Sequence, residues 1–187
     1  MRTRCILFII ISFYYFDGIC QLSSKNSINY GIGIGLSDGT GFVGAGPALS
    51  LGYKRDIWKD RLKIYPSILV GAYRSEGILD VREQYFNELK FNTLIDYDII
   101  GYSNLYLNAK IGGFVSTTRG LMGTGGEFVI NESEYVEKWH YGMFISSGLN
   151  FYSKSKKYSI ELIPLGISMG FNEFLEIHSL ICLNIKI

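Results

Sequence analysis

The last twelve residues of the chain alternate between two sets of positions. One set is almost wholly apolar: Ile177, Ser179, Ile181, Leu183, Ile185 and Ile187. The other set is mixed: His178, Leu180, Cys182, Asn184 and Lys186. Because successive side chains of a strand point to opposite faces, the pattern predicts a strand with one apolar and one mixed face.

The same alternation recurs in seven earlier segments of the chain. It predicts strands at about residues 28–36, 43–54, 62–73, 87–99, 104–116, 138–152 and 158–169, before the last one at 176–187. Alternating segments of roughly ten residues, separated by turn residues, are typical of membrane barrels. The sequence therefore predicts an all-β fold, an eight-stranded antiparallel up-and-down transmembrane β-barrel.

The connections between these strands differ in length. Residues 74–86 and 117–136 form the longest predicted loops, whereas the second, fourth and sixth connections are compact. Outer-membrane barrels have short periplasmic turns and longer external loops. Both termini are therefore expected in the periplasm, and the loops at 74–86 and 117–136 are expected outside, where an extracellular ligand would bind.

Outward-facing aromatic residues support a membrane location. One group falls near the predicted periplasmic ends of five strands: Tyr30, Tyr53, Tyr97, Phe151 and Tyr158. Trp139 and Tyr141 fall at the opposite rim. Aromatic rings favour the headgroup zone of a bilayer, so these positions predict two girdles in contact with outer-membrane lipid.

Three prolines conflict with regular strands. Pro47, Pro66 and Pro164 lie within predicted strands, where each removes one backbone hydrogen-bond donor. We expect them at bulges or at the starts of strands.

The first twenty residues have a different character from the rest. A basic start with Arg2 and Arg4 precedes a mostly apolar run at 5–16, which predicts a signal peptide at residues 1–20 and a barrel domain at 21–187. The run is too short for a spanning helix, which needs ~20 residues. Cys20 leaves lipid attachment open as an alternative to simple cleavage before Gln21.

Polar side chains on the inward faces predict the content of the lumen. An eight-stranded barrel is just wide enough inside for side chains, and buried charges need partners. The sequence predicts ion pairs and hydrogen bonds that plug the lumen, with a polar path for small solutes as the alternative. The inward set comprises Lys63, Tyr65, Lys90, Asp96, Asp98, Tyr106, Lys110, His140, Glu161, His178 and Lys186.

The two histidines are the main candidates for chemistry. His140 and His178 are both expected inward near the external rim, where two imidazoles and a carboxylate would suit a metal or acid–base catalysis. However, Ser179 faces away from His178, and Ser146 lies further along its strand than His140, so no nucleophile–base pair forms. We therefore predict no catalytic, cofactor-binding or metal site, and Cys182 is expected to be a small lumen residue without a disulfide partner.

Composition and charge narrow the function only slightly. The formal charge is +1, which gives no bias toward nucleic acid. The chain is rich in aromatic residues and glycine, which suits a membrane barrel and a soluble β-sandwich equally.

Three short segments carry a family resemblance. They are the opening YGIGIG at 30–35, LSLGY at 49–53 and the terminal LNIKI at 183–187. In these features, and across residues 21–187, the chain resembles the small outer-membrane β-barrel family of Bacteroidetes-type bacteria. The resemblance implies the outer membrane of a Gram-negative cell and supplies no catalytic residue.

The sequence favours a non-enzymatic outer-membrane barrel. In this interpretation a plugged polar lumen supports surface loops that serve envelope integrity or partner binding. Three alternatives stay open: a lipid-A-modifying enzyme, a narrow small-solute channel, and a secreted soluble barrel that binds a ligand.

Overall fold

The computed structural model describes residues 25–41, 43–58, 61–75, 84–123, 133–154 and 157–187. Within them the chain forms eight strands: β1 (Asn26–Ser37), β2 (Gly44–Trp58), β3 (Leu62–Ser75), β4 (Gln84–Tyr102), β5 (Leu105–Gly123), β6 (Ser133–Tyr152), β7 (Tyr158–Gly170) and β8 (Leu175–Lys186). No helix among these residues is long and apolar enough to cross a membrane. The predicted signal peptide lies outside the described residues.

The strands close into a single barrel. Each strand pairs antiparallel with its neighbour in chain order, and β8 pairs with β1, so every strand has two partners. The predicted eight-stranded up-and-down β-barrel is therefore confirmed. The first residues of β1 and the last of β8 lie at one end, which we call the terminus end; residues 38–41 and 171–174 lie at the opposite, loop end.

The barrel is apolar outside and polar inside. Ile32 and Ile34 of β1 are 64% and 69% exposed, whereas Lys90 and Glu161 are fully buried in the lumen. This arrangement follows from the alternation in the sequence, because each strand turns one set of side chains outward and the other inward. A soluble barrel has the reverse polarity, since water makes an apolar outer face unfavourable.

Strands β4, β5 and β6 are longer than the sequence predicts. The predicted loop at 74–86 overlaps β3 and β4, and the predicted loop at 117–136 overlaps β5 and β6. Cross-strand pairing explains the extension, because Tyr85, Leu121 and Tyr135 lie side by side on the outward face. Next to them Arg119 and Glu137 form an ion pair at 2.9 Å. Within the two loops predicted to bind a ligand, 74–86 and 117–136, residues 76–83 and 124–132 lie outside the described residues.

Strand β2 is also longer than predicted. The sequence predicts a connection in the charged segment 55–61, but β2 continues to Trp58 and pairs with β3 as far as Leu62. The pairing shifts register between Asp56 and Trp58, so an irregularity carries the strand through these polar residues. Lys54, the last residue of the predicted strand, therefore lies well inside β2 and points into the lumen.

The three prolines all face outward, but only one marks a bulge. The β7–β8 register shifts between Ile163 and Gly166, and both intervening residues, Pro164 and Leu165, are exposed. Pro47 and Pro66 lie inside β2 and β3 without any such shift, so the expectation of a bulge or strand start is wrong for them. The β2–β3 ladder has gaps at both positions, because proline donates no hydrogen bond.

Glycines on the inner wall make room for large side chains opposite or beside them. A side chain at Gly52 would collide with Tyr65, and one at Gly44 would meet Phe86 and Tyr73. The lumen is therefore filled by pairing small with large residues. Its apolar part includes two clusters: Ala48, Leu69, Ile163, Leu180 and Cys182, and Tyr65, Leu94, Phe114, Phe144 and Phe174.

Candidate functional site

The lumen near the terminus end contains a network of charges, which we call the terminus-half cluster. It comprises Lys54, Lys63, Lys110, Asp96, Asp98 and Glu161, with three positive and three negative side chains, all 5% exposed or less. Strands β2 to β5 and β7 each contribute to it. The charges balance, which is what burial away from water requires.

Glu161 is the centre of this cluster. Its Oε2 lies 2.8 Å from Lys54 Nζ, and its Oε1 lies 2.5 Å from Lys110 Nζ. Asn108 donates from Nδ2 to the same Oε1 at 2.6 Å. One carboxylate from β7 therefore joins donors from β2 and β5, two strands that are not its neighbours in the barrel.

Two aspartates of β4 complete the terminus-half cluster. Asp96 Oδ2 lies 2.9 Å from Lys54 Nζ, and Asp98 Oδ2 lies 2.6 Å from Lys63 Nζ. The sequence places these two acids on one face of a strand, a pattern that also occurs in acid–base sites. Each acid has its own lysine here, so the pair is held in ion pairs.

Tyr65 connects the charges to the wall of β1. Its ring lies beneath two ammonium groups, with Lys54 Nζ at 4.9 Å and Lys110 Nζ at 5.2 Å from the ring centroid. Its hydroxyl donates to Asn29 Oδ1 at 2.7 Å, and Asn29 donates to Asn184 at 2.8 Å. Cation–π contacts and side-chain amides therefore extend the network across the full width of the lumen.

A second, smaller group lies nearer the loop end and is called the loop-half cluster. Lys90 forms an ion pair with Glu176 and donates to Ser168 Oγ at 2.8 Å. Glu176 also accepts from the Tyr73 hydroxyl at 2.9 Å. Glu88, which is 1% exposed, accepts from Ser37 Oγ at 2.9 Å.

Aromatic rings surround the loop-half cluster. Lys90 Nζ lies 5.6 Å from the centroid of Phe114 and 5.8 Å from that of Phe144. Phe174, at the end of the β7–β8 connection, packs on Phe114 with the ring centroids 5.6 Å apart. In this half of the lumen, packed rings take the place of the charges that fill the terminus half.

The connection between β1 and β2 folds across the loop end of the barrel. Lys138 of β6 donates from Nζ to the carbonyl oxygen of Thr40 at 2.9 Å, and His140 Nε2 lies 3.1 Å from the Gly39 oxygen. Thr40 is only 2% exposed. Gly41 has a φ of 99°, a left-handed conformation that glycine adopts without strain. Residues 38–41 therefore lie across the loop end and contact β6, and we call them the cap.

Both histidines point inward, as predicted, but they do not form a pair. His140 stacks on Phe174 at 4.3 Å and contacts Asn172 through Nδ1 at 3.2 Å. His178 stacks on Phe144 at 5.4 Å. Each imidazole therefore packs against a different phenylalanine.

The contacts of His178 are those of a packed lumen side chain rather than those of a catalytic base. Its Nδ1 lies 3.8 Å from Glu176 Oε1, a carboxylate that already faces Lys90 and Tyr73. The hydroxyl of the following residue, Ser179, donates to the Ile163 carbonyl at 3.2 Å on the far side of the strand. Among the described residues, no group of three His, Cys, Asp or Glu side chains is arranged to hold a metal ion.

The predicted inward residues all line or fill the lumen. Nine of them are buried: Lys63, Tyr65, Lys90, Asp96, Asp98, Lys110, His140, Glu161 and His178. Tyr106 and Lys186 line a cavity at the terminus end. Cys182 is 1% exposed, faces the lumen and is not in a disulfide, as predicted.

Three buried charges of the network are absent from the predicted inward set. The sequence pattern puts Lys54 last before a charged turn, while Glu88 and Glu176 lie next to predicted strand ends. The alternation of the strands could have placed all three inside, because each lies an even number of residues from an inward neighbour such as Lys90 or His178. Position in the alternation therefore predicts the direction of a side chain better than its charge or its nearness to a strand end does.

Outward aromatic residues lie near both ends of the barrel wall. Tyr30, Tyr97, Phe151 and Tyr158 are exposed near the terminus end, while Tyr53 there is partly buried. Trp139 and Tyr141 are 61% and 57% exposed near the loop end. Phe171 is a further exposed aromatic residue near the loop end, and its ring lies 5.8 Å from that of Tyr141. These positions agree with the predicted girdles.

Comparison with known proteins shows what this fold resembles. No protein-family profile matches the chain, and no curated protein matches it by sequence. Among solved structures, Neisserial surface protein A (NspA) aligns with a TM-score of 0.63 and 9% identity, covering 89% of this chain and 100% of that one. Ail, the attachment invasion locus protein of Yersinia pestis, aligns with a TM-score of 0.56, 12% identity and the same coverage.

A third similar structure is that of a protein named as an outer-membrane protein. A major outer membrane protein from Thermus thermophilus aligns with a TM-score of 0.54 and 8% identity, covering 86% of this chain and 99% of that one. At such low identity the likeness concerns the fold. The shared fold and the apolar outer face together indicate a small barrel of the outer-membrane type, in agreement with the predicted fold and location.

Proposed function

We propose that the chain is an integral outer-membrane barrel without enzymatic activity, whose lumen is closed by its own side chains. In this role the barrel anchors surface segments at the loop end, which serve envelope integrity or bind a partner. The terminus end faces the periplasm. The family resemblance of the sequence extends the proposal to the small barrels of Bacteroidetes-type bacteria.

The observation that carries the proposal is the reversed polarity of the barrel. Its outer face carries exposed apolar residues on every strand, among them Ile34, Ile68, Phe91, Ile111, Ile145, Ile160 and Ile181. In water such a continuous apolar surface would drive aggregation, whereas hydrocarbon accommodates it. The closed ring of strands also satisfies the backbone hydrogen bonds that a bilayer cannot.

Closure of the lumen is supported at three levels along the axis. The terminus-half cluster joins opposite walls through Glu161, the rings of Phe114, Phe144 and Phe174 fill the loop half, and the cap lies over the mouth. Opening a path would require breaking buried ion pairs, which costs several kcal/mol for each uncompensated charge. We therefore favour a closed barrel over a narrow channel.

A conductance measurement tests the closed lumen. The protein, refolded in detergent and inserted into planar bilayers, is expected to show no unitary current in 1 M KCl. The matched variant F114A/F144A/F174A, which removes three rings from the loop half, is expected to raise ion flow. Unitary currents from the unchanged protein equal to those of the variant would contradict closure.

Two simpler measurements test the membrane assignment and the absence of activity. Fractionation should recover the protein with the outer membrane, and unheated samples should migrate faster on gels than boiled ones, because the barrel stays folded. Lipid A extracted with and without expression should be identical by mass spectrometry. A new lipid A species that disappears with both H140A and H178A would favour the enzyme instead.

We place the loop end on the cell exterior because the two longest predicted loops, at 74–86 and 117–136, join strands at that end. The neighbouring structures include a surface protein and an attachment invasion locus protein. On this chain the corresponding surface includes the row formed by Tyr85, Leu121 and Tyr135, beside the Arg119–Glu137 ion pair. Protease accessibility on intact cells would test the direction, since a site introduced at residue 80 should be cleaved and one at Ser103 should be protected.

A further inference from the structure

A cavity of about 220 Å³ opens at the terminus end of the lumen, and we call it the vestibule. Its volume is below the ~300–1,000 Å³ of pockets that hold drug-sized ligands, so an occupant would be small. The vestibule is lined by Ser27, Lys54, Asp56, Arg61, Lys63, Asp98, Tyr106, Tyr152, Lys157, Tyr158, Ser159, Asn184 and Lys186.

The charges of the vestibule do not balance. Its lining carries five cationic side chains but only two carboxylates, Asp56 and Asp98. The two deepest cations, Lys54 and Lys63, form ion pairs within the terminus-half cluster. The other three lie nearer the opening: Arg61, Lys157 and Lys186.

These three cations at the opening have no salt bridge within the described part of the chain. Their backbones are nevertheless fixed in place. Lys186 N donates to Lys157 O at 2.9 Å, and Asp98 N donates to Arg61 O at 2.9 Å. Positive side chains therefore converge on one opening from anchored positions, where their mutual repulsion favours an anion between them.

Neutral hydrogen-bonding groups line the walls below the cations. Ser159 accepts from Asn184 Nδ2 at 3.1 Å, and the Tyr152 hydroxyl lies 3.3 Å from Lys63 Nζ. The rings of Tyr106 and Tyr152 meet edge to face at 5.2 Å. Hydroxyl and amide groups of this kind suit a ligand rich in oxygen atoms.

We propose that the vestibule binds a small soluble polyanion that carries phosphate or carboxylate groups. Three cations at the opening face one lining carboxylate, Asp56, and this excess of positive charge matches an occupant with about two negative charges. The walls supply hydrogen bonds to its oxygen atoms. The ligand would enter from the periplasm, a direction that rests on the proposed function. Binding itself rests only on the vestibule and is measured on purified protein.

The test is a titration of the refolded barrel in phosphocholine nanodiscs, followed through backbone amide NMR shifts. Inorganic pyrophosphate is the phosphate probe, citrate is the carboxylate probe and putrescine is the cationic control. We expect saturable shifts at Ser159, Asn184 and Lys186 with at least one of the anions, and none with putrescine. Higher salt should weaken the binding, because exposed charges at the opening are screened.

Two matched double variants separate the vestibule from the general charge of the barrel end. K157Q/K186Q removes two lining cations and is expected to weaken binding at least tenfold. K25Q/K154Q removes two exposed cations that do not line the vestibule and is expected to change binding less than twofold. Fast gel migration of unheated samples confirms that both variants are folded, so a loss of binding is not a loss of the barrel.

Three results would overturn the proposal. One is the absence of saturable shifts with both anions. Another is an equal loss in both double variants, which would indicate diffuse attraction to the rim. The third is binding that appears only when the nanodiscs contain phosphatidylglycerol, because the cations would then serve the lipid headgroups. None of these results bears on the conductance test of the closed lumen.

Discussion

The two halves of the lumen are filled by different kinds of side chain. The terminus half holds three lysines and three acids in one balanced network centred on Glu161. The loop half holds one lysine paired with Glu176 and a second acid, Glu88, which accepts from Ser37. Phenylalanine rings surround this lysine. Each half joins strands across the lumen, the first through charge and the second chiefly through packing.

This difference follows the surroundings of each half. The terminus half opens into the vestibule, where water can reach the edge of the network. The loop half lies beneath the cap, and its charged side chains, Lys90, Glu88 and Glu176, are 1% exposed or less. Aromatic rings occupy much of the space around them. A narrow barrel can therefore be filled mainly with charges in one half and mainly with rings in the other.

The largest effect is expected at the centre of the terminus-half cluster. E161Q should lower the free energy of unfolding by about 3–5 kcal/mol, because it leaves Lys110 and Lys54 buried without their shared carboxylate. Urea titration in lipid vesicles, followed by tryptophan fluorescence, measures this loss. The control E137Q breaks an exposed ion pair and should cost less than about 1 kcal/mol. Equal losses would show that the buried network does not stabilise the fold.

The loop half should respond most to the loss of a ring. F174A removes a buried side chain that packs on Phe114 and His140, and should cost about 3 kcal/mol through the cavity it leaves. The same urea titration measures it, with F171A as the control because Phe171 is 73% exposed. If F171A costs as much as F174A, packing within the lumen is not what holds this half.

The Lys90–Glu176 pair offers a sharper comparison of charge with packing. K90M alone leaves a buried carboxylate among aromatic rings, whereas K90M/E176Q removes both charges. The glutamine keeps an oxygen that accepts from Tyr73 and gains an amide N–H that can donate to Ser168 Oγ. The double variant is expected to recover about 2 kcal/mol of the stability lost in K90M. A double variant less stable than K90M would mean that the ion pair itself stabilises the loop half.

The smallest effect is expected at the cap. K138M removes one hydrogen bond to the Thr40 oxygen at the edge of the mouth and should cost about 1 kcal/mol. Amide hydrogen exchange should speed up at the cap and stay unchanged at Asn108, deep in the lumen. K154M, an exposed lysine at the other end, should leave both rates as they are. Faster exchange throughout the barrel would contradict a local role for the cap.

The fold and most of the side chains that fill the lumen can be predicted from the alternation of apolar and polar positions in the sequence. Alternation over eight segments predicts the strand number, and the same alternation places residues such as Lys90 and Glu161 inside the barrel. The pairing of distant charges does not follow from it. Lys54 meets Glu161 across 107 positions of the chain because the barrel closes with a stagger that no single strand encodes.

Strand ends and turns are the parts that local pattern predicts least well. The extension of β5 to Gly123 depends on partners in β4 and β6, such as Tyr85 and Tyr135, rather than on its own residues. The break in alternation after Ile163 becomes clear only once the β7–β8 register is known. The cap depends on contacts with β6, about a hundred residues away.

The cap also has a mechanical consequence for the barrel. It leaves the wall between β1 and β2 and is fastened to Lys138 and His140 on β6, so it acts as a strut across the diameter of the ring. A ring braced in this way resists flattening at the loop end, just as the ion pairs of Glu161 resist it in the terminus half. Lateral pressure from the bilayer should therefore meet cross-links at two heights of the barrel.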